Sequence, residues 1–227
     1  MIHIQVSDEI RQRCPHFVGT AVFADIHNTP HSEGLWQEID TFIADYRTCF
    51  TTESVKQMPS IQATREAYRR CGKDPSRYRP SAEALIRRTL QGHALYQVST
   101  VVDLINLASI ASGYSIGGFD ADQIVSNAVL DAPSLTLGIG REGEPYEGIG
   151  RGPLNIAGLP VYRDAVGGIG TPTSDHERTK LSLQTTRLLA IVNGYDGNRV
   201  GTQACAQHIQ ELLRRYAESD GGTLLDF

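Results

Sequence analysis

The sequence has one Trp and two Met in 227 residues, and no apolar run approaching the roughly 20 residues that cross a bilayer. That shortage argues against a membrane-spanning helix. Its four cysteines, Cys14, Cys49, Cys71 and Cys205, form no C-x-x-C pair and stand far apart, so buried, reduced thiols are expected in place of a zinc ribbon or a disulfide framework. Seven histidines fall in no metal-ligand pattern. The nearest pair, His27 and His31, is separated by Pro30, which breaks any helix that would align the two rings. No metal and no cofactor are expected. Also missing are a G-x-S-x-G elbow, a phosphate-loop lysine and a G-x-G-x-x-G after a strand. The first residues, MIHIQVSDEIRQRC, lack the basic start and continuous apolar segment of a secretory signal, so a cytoplasmic location is expected.

What is present is an ordinary globular composition, 40% hydrophobic with 22 Gly. A chain of this length buries roughly 70–75% of its unfolded surface. The net charge of −5 disfavours indiscriminate nucleic-acid coating, yet the charge is uneven. Between residues 65 and 88 eight cations, Arg65, Arg69, Arg70, Lys73, Arg77, Arg79, Arg87 and Arg88, face only Glu66, Asp74 and Glu83, with Tyr68 and Tyr78 interleaved. Guanidinium forks bind phosphate oxygens and a tyrosine ring can stack on a base, so the stripe is a candidate RNA-binding surface. Two solvated helix faces would give the same pattern.

Apolar periodicity predicts strands over 2–6 and 17–26 with a short helix between them, begun by Ser7 or Asp8. An amphipathic helix is expected after Ser32, with Leu35, Ile39, Phe42, Ile43 and Tyr46 on one face, and another over 60–71 closed by Gly72. Ser81 is expected to cap a helix ending at Gly92. Ser99 or Thr100 starts a further helix, apolar nearly all round, which must be buried. After Gly113 short apolar segments alternate with Gly, Pro and Asp turns, as strands do: 129–140, 154–168 and 185–197 are the clearest. The segment 138–152 reads as a turn, since Glu142, Glu144 and Glu147 disfavour a phosphate cradle. A last helix over 199–219 precedes a short tail. The expected class is α+β: a single domain with a helix-rich N-terminal half and an antiparallel β-sandwich-like sheet flanked by helices.

One loop, TPTSDHERTK at 171–180, crowds hydroxyls, a carboxylate, an imidazole and a guanidinium between two strands. It is a candidate ligand-site element, although Pro172 and the Ser-Asp pair also suit an ordinary turn. His176 beside Asp175 is no dyad, because neighbours on an extended chain point opposite ways.

Taken with SAEALIRRTLQG at 81–92, VVDLINLASIASGYSIGGFDADQI at 101–124 and the glycine pair of RDAVGGIG at 163–170, that loop resembles the editing module of the phenylalanyl-tRNA synthetase beta subunit, and free-standing proteins made of that module alone. The likeness runs over 79–192. It implies a module core at 76–227 with residues 1–75 as an extension packed on it, and an aminoacyl-tRNA deacylase acting in trans or a tRNA-binding relative of one. Its implied partners are tRNA or another RNA and a small amino-acid-like ligand. The implied ligand pocket draws on Gly117, Gly118, Phe119 and Asp120 of the glycine-rich SIGGFD turn, on Gly167 and Gly168, and on Ser174, Asp175, Arg178 and Thr179. Backbone N–H groups at the glycines would stabilise an oxyanion. Hairpin and cap roles are equally open to these glycines, and structural roles are favoured for Asp103, Asn106 and Asp120. Two departures matter. Gly117 stands where the family has its pocket histidine, and counting from Thr179, Thr185 or Thr186 meets no carboxylate to read a tyrosine hydroxyl. Tyrosine specificity is therefore not expected. A small-molecule-binding or hydrolytic protein that kept the pocket without RNA binding is the alternative.

Overall fold

The computed structural model describes residues 3–126 and 134–227. In chain order the elements are β1 (His3–Val6), α1 (Asp8–Arg13), β2 (Val18–Asp25), α2 (Glu33–Cys49), α3 (Pro59–Arg70), α4 (Ser81–Leu90), α5 (Thr100–Ser112), β3 (Ser115–Asp120), β4 (Ser134–Ile139), β5 (Glu147–Gly148), β6 (Gly152–Pro153), β7 (Pro160–Arg163), β8 (Gly168–Gly170), β9 (Arg187–Gly194), α6 (Arg199–Tyr216) and β10 (Thr223–Asp226). The class is α+β, as expected. Of the strand expected over 129–140, residues 134–139 form β4 and residues 129–133 lie outside the described residues.

One sheet runs β10-β2-β9-β3, antiparallel throughout. The other, β1-β4-β7-β8, is mixed because β1 pairs with β4 in parallel. Side chains alternate faces along a strand, and β9 is buried on both. Its Leu188, Ala190 and Val192 meet the helices together with Val22 and Ala24 of β2. Leu189 and Ile191 meet Leu135, Leu137 and Ile169 of the mixed sheet. The result is three layers: helices, antiparallel sheet, mixed sheet. Residues 3–75 enter the middle of this arrangement, since β2 lies between β10 and β9.

Several details differ from the sequence expectation. SIGGFD is a strand, β3, paired with β9 over its whole length. The C-terminal tail is also a strand, pairing Thr223 to Asp226 with β2. Pro80, not Ser81, occupies the cap position of α4, and the Ser81 amide donates instead to the Pro172 carbonyl at 2.8 Å. The start of α5 is satisfied from far away: Asn28 Oδ1 accepts from the Val101 amide at 3.1 Å and the Thr29 carbonyl from the Thr100 amide at 2.9 Å. Elsewhere α2 is capped by Ser32 as expected, and Gly113 ends α5 in the left-handed conformation at φ +74°. Cys14, Cys71 and Cys205 are buried thiols, but Cys49 at the end of α2 is exposed. Among the described residues no helix is long and apolar enough to cross a membrane.

Candidate functional site

Burial leaves one stripe of α5 open. On a helix enclosed over the rest of residues 100–110, Val102 and Asn106 are half-exposed one turn apart, and both line a cavity of about 380 Å³. Its walls come from Ile105 of α5, Ile116 and Gly118 of β3, and Leu181, with Val98 and Ile149 at exposed positions. A smaller chamber of about 150 Å³ shares Ile105, Asn106, Ile116 and Asp175 with it and reaches Ser81 and Leu85 of α4, Ser109, Thr171 and Ser174. Apolar walls with a few convergent polar groups are the usual composition of a small-ligand site.

Asp175 is the group common to both chambers that can carry charge. Its Oδ2 accepts from the Gly118 amide at 2.9 Å, and among the described residues its Oδ1 has no donor. Burial disfavours the charged form, the Gly118 amide opposes that only in part, and the carboxyl is pushed up to about 7. Glycines make room for it. A Cβ on Gly117 would sit 2.7 Å from Phe119 Cζ and 3.4 Å from Asp175 Oδ1, while one on Gly170 would approach the same atoms to 2.4 and 3.0 Å. Gly118, on the other face of β3, would meet Ile105 Cδ1 at 3.0 Å and Leu181 Cδ1 at 3.2 Å, which sets the cavity floor.

The loop carrying Asp175 is tightly held. Thr171 Oγ1 accepts from the Thr173 and Ser174 amides, the Tyr146 hydroxyl donates to the Ser174 carbonyl at 2.7 Å, and Tyr68 and Thr173 share a hydroxyl–hydroxyl bond at 2.8 Å. His176 turns away from Asp175: its Nδ1 accepts from the Arg178 amide and its ring packs edge-on against Tyr146. Burial lowers its pKa. A second carboxylate, Asp103 on α5, accepts from Trp36 Nε1 at 2.8 Å and from the Val98 amide at 3.1 Å. It thereby fixes the backbone of a residue at the cavity wall. Burial raises its pKa.

The remaining candidate residues have structural partners. Phe119 is fully buried beneath β3. Asp120 accepts from the Asp122 amide and the Thr185 hydroxyl. Gly167 donates to Asp164 Oδ1, Gly168 faces Tyr146, and neither lines the cavity. Arg178 grips Asp164 at 2.8 Å and donates to the Gln123 carbonyl at 3.1 Å. Thr179 is fully buried with no hydrogen-bond partner for its hydroxyl among the described residues.

The eight cations do not form one open face. Arg65 is buried, 2.9 Å from Glu83, and also donates to the Pro75 carbonyl and Ser76 hydroxyl. Arg87 lies 2.9 Å from the same Glu83, and Arg79 lies 3.9 Å from it. Arg69 and Arg70 pair with Glu66 at 3.2 and 3.3 Å. Lys73 is buried, donating to the Asn155 carbonyl at 2.7 Å and standing 3.7 Å over the Tyr78 ring. Arg88 donates to the Ala94 carbonyl and stacks 4.0 Å over Tyr96. Arg77 is exposed and has no ion pair among the described residues.

Sequence reasoning named Asp175 and Gly118 but missed the apolar walls at Val98, Val102, Ile105, Ile116 and Leu181. The signal for the α5 part was faint: Asn106 interrupts an apolar helix, four residues after Val102.

A family model described as the B3/4 domain matches residues 63–219. Among solved structures, an N-terminal fragment of the phenylalanyl-tRNA synthetase beta subunit from Pyrococcus horikoshii is similar over 98% of this chain, at 11% sequence identity and a TM-score of 0.47; the match covers 50% of that chain. The present chain thus spans about half the length of that fragment. A comparison with curated proteins finds no match.

Proposed function

The chain belongs to the B3/4 domain family, a module found in the phenylalanyl-tRNA synthetase beta subunit, and from that premise we propose that it binds RNA bearing an aminoacyl ester and hydrolyses that ester in the cavity beside α5. The observation that carries this reading is the Asp175 carboxyl, which lines the largely apolar cavity, has one oxygen without a donor among the described residues, and is pushed up to about 7. A base works best when its pKa lies near the operating pH, because both proton states are then populated. In the carboxylate state Oδ1 takes a proton from a water that attacks the ester carbonyl; the bond to the ribose oxygen then breaks, and that oxygen takes the proton back from Asp175 and leaves as the hydroxyl. An aminoacyl ester is already activated, so positioning a water supplies most of what is required. The amino-acid side chain packs against Ile105, Ile116 and Leu181, which suits an apolar residue. Arg69, Arg70, Arg77 and Arg79, the more exposed members of the basic stripe, contact RNA phosphates. Arg65, Lys73 and Arg87 are assigned to the fold.

The test is incubation of the protein with a panel of mischarged tRNAs. Release of one or more amino acids above the uncatalysed rate supports the reading, and no release from any pair defeats the hydrolytic part. The RNA-binding part is tested separately, by whether binding weakens steeply as salt is raised.

One observation favours a second reading. Most of the basic stripe is engaged by Glu66, Glu83 and backbone carbonyls, while exposed Val98 and Ile149 border the cavity. A protein that binds a small apolar amino acid or its ester without RNA would show saturable ligand binding and no salt-sensitive RNA binding.

A further inference from the structure

Next to a cleft that shares no lining residue with the cavity, Cys14 at the end of α1 and Cys71 at the end of α3 bring their sulfurs to 3.9 Å. The two helix ends are otherwise tied by Arg13 Nη1, which donates to the Arg70 carbonyl at 3.4 Å. A cleft of about 230 Å³ leads to Cys14, with Arg13, Arg70 and Tyr195 among its walls. The Tyr195 hydroxyl is buried in that wall and has no hydrogen-bond partner among the described residues. A buried phenol without an acceptor is an unsatisfied donor, and its residue lines the cleft beside Cys14. The site thus combines two neighbouring thiols, a phenolic donor and two guanidinium groups, Arg13 paired with Glu9 and Arg70 with Glu66.

We propose that Cys14 is a hydroperoxide-reactive thiol and Cys71 its resolving partner, so that the chain forms an intramolecular disulfide on exposure to hydrogen peroxide or an alkyl hydroperoxide. The Cys14 thiolate attacks one peroxide oxygen and the O–O bond breaks. Sulfur is oxidised to sulfenic acid, and the departing hydroxide or alkoxide takes a proton from solvent. The Cys71 thiol then gives up its proton and attacks the Cys14 sulfur. The hydroxide expelled takes that proton and leaves as water, so two thiols and one peroxide yield a disulfide and two oxygen-bearing products, water and either water or an alcohol. Tyr195 donates to a peroxide oxygen in the first step. The distances permit the second step: a disulfide about 2.05 Å long requires the sulfurs to close by about 2 Å.

Charge in the site points the same way. The hydrogen bond with Cys71 lowers the Cys14 pKa most, the Arg70 and Arg13 charges lower it further, and burial works against them. The same pairing, with burial, raises Cys71. The cleft is lined by Cys14 and not by Cys71, and that placement assigns the attacking and resolving roles. Burial holds Tyr195 well above the usual phenol value, so it stays protonated and able to donate. The bond would join α1 to the end of α3, beside Arg69 and Arg70.

The experiment uses the full chain with exposed Cys49 replaced, Cys49→Ser, to remove intermolecular coupling. One equivalent of hydrogen peroxide should lower the intact mass by about 2 Da and join the peptides containing residues 14 and 71. Cys71→Ser should stop at a sulfenic acid, trapped by dimedone at Cys14, and Cys14→Ser should give neither product. Tyr195→Phe, which leaves both sulfurs and the ring in place, should slow the loss of thiol several-fold. If the thiols survive that treatment unchanged, if Cys205 reacts first, or if the dimedone adduct appears on Cys71, the assignment is overturned. The Cys49→Ser and Tyr195→Phe proteins decide the matter even where a core serine prevents folding.

Discussion

Two inward-facing carboxylates, Glu83 on α4 and Asp175 after β8, have opposite surroundings. Glu83 is enclosed by Arg65 and Arg87 at 2.9 Å with Arg79 at 3.9 Å, whereas Asp175, at the wall of a largely apolar cavity, has one amide hydrogen bond and, among the described residues, no donor to its other oxygen. The first arrangement spends its charge on holding α3 and α4 together, since each guanidinium neutralises the carboxylate and closes the space around it. The second leaves a carboxyl whose proton state changes near neutrality. Density of charge along a sequence is therefore a poor guide to reactivity here. Arg65, Lys73 and Arg87 of the charged stretch became scaffold, and a single acid in a turn-like loop became the reactive candidate.

The contrast breaks most sharply at Asp175. Replacing it by Asn keeps the shape and the Gly118 contact but removes the base, so aminoacyl-ester hydrolysis should fall by about 10²–10⁴-fold with substrate binding little changed. Single-turnover kinetics on a mischarged tRNA check this. At Glu83 the expected loss is in folding. Glu83→Gln leaves buried Arg65 without its countercharge and should cost about 3–5 kcal/mol, read as a lower denaturation midpoint in urea with the cavity chemistry intact in the folded fraction.

Stability against pH sharpens the same comparison. Asp175 has a folded value of about 7 against an ordinary 3.8, so the folded state holds its proton more tightly than the unfolded chain does. Its contribution is fully present below about pH 4 and is lost as pH rises through 7, a change of up to about 4 kcal/mol. The difference in stability between wild type and Asp175→Asn, measured by urea denaturation from pH 4 to 8, should therefore move in favour of the variant as pH rises. The smallest effect belongs to the exposed cations. Arg77→Glu, which breaks no ion pair among the described residues, should alter folding by no more than about 0.5 kcal/mol, yet should weaken RNA binding and flatten its dependence on salt.

Elements governed by their own residues were legible in the sequence. The Ser32 cap and apolar face of α2, the strand at β9 and the enclosure of α5 all follow from local pattern. Features set by distant partners were not. SIGGFD reads as a turn because its glycines suggest one, but those glycines admit the Phe119 ring on one face and Ile105 with Leu181 on the other. The α5 start depends on Asn28, 73 positions before Val101. The tail becomes β10 only because β2 offers it an edge. Of the candidate site, Gly118, Ser174 and Asp175 were readable from residue type, while the apolar walls emerged only once α5 and β3 were set side by side. The basic stripe divides for the same reason, since sequence does not say that Arg65 and Arg87 turn to Glu83 while Arg69, Arg70, Arg77 and Arg79 stay exposed.

The most direct measurement is a carbon-13 NMR titration of the Asp175 side-chain carboxyl, assigned by comparison with Asp175→Asn. A midpoint near 7 is the predicted result. A midpoint near 4 would show a permanently ionised, solvated carboxylate and would contradict its role as a base in this cavity.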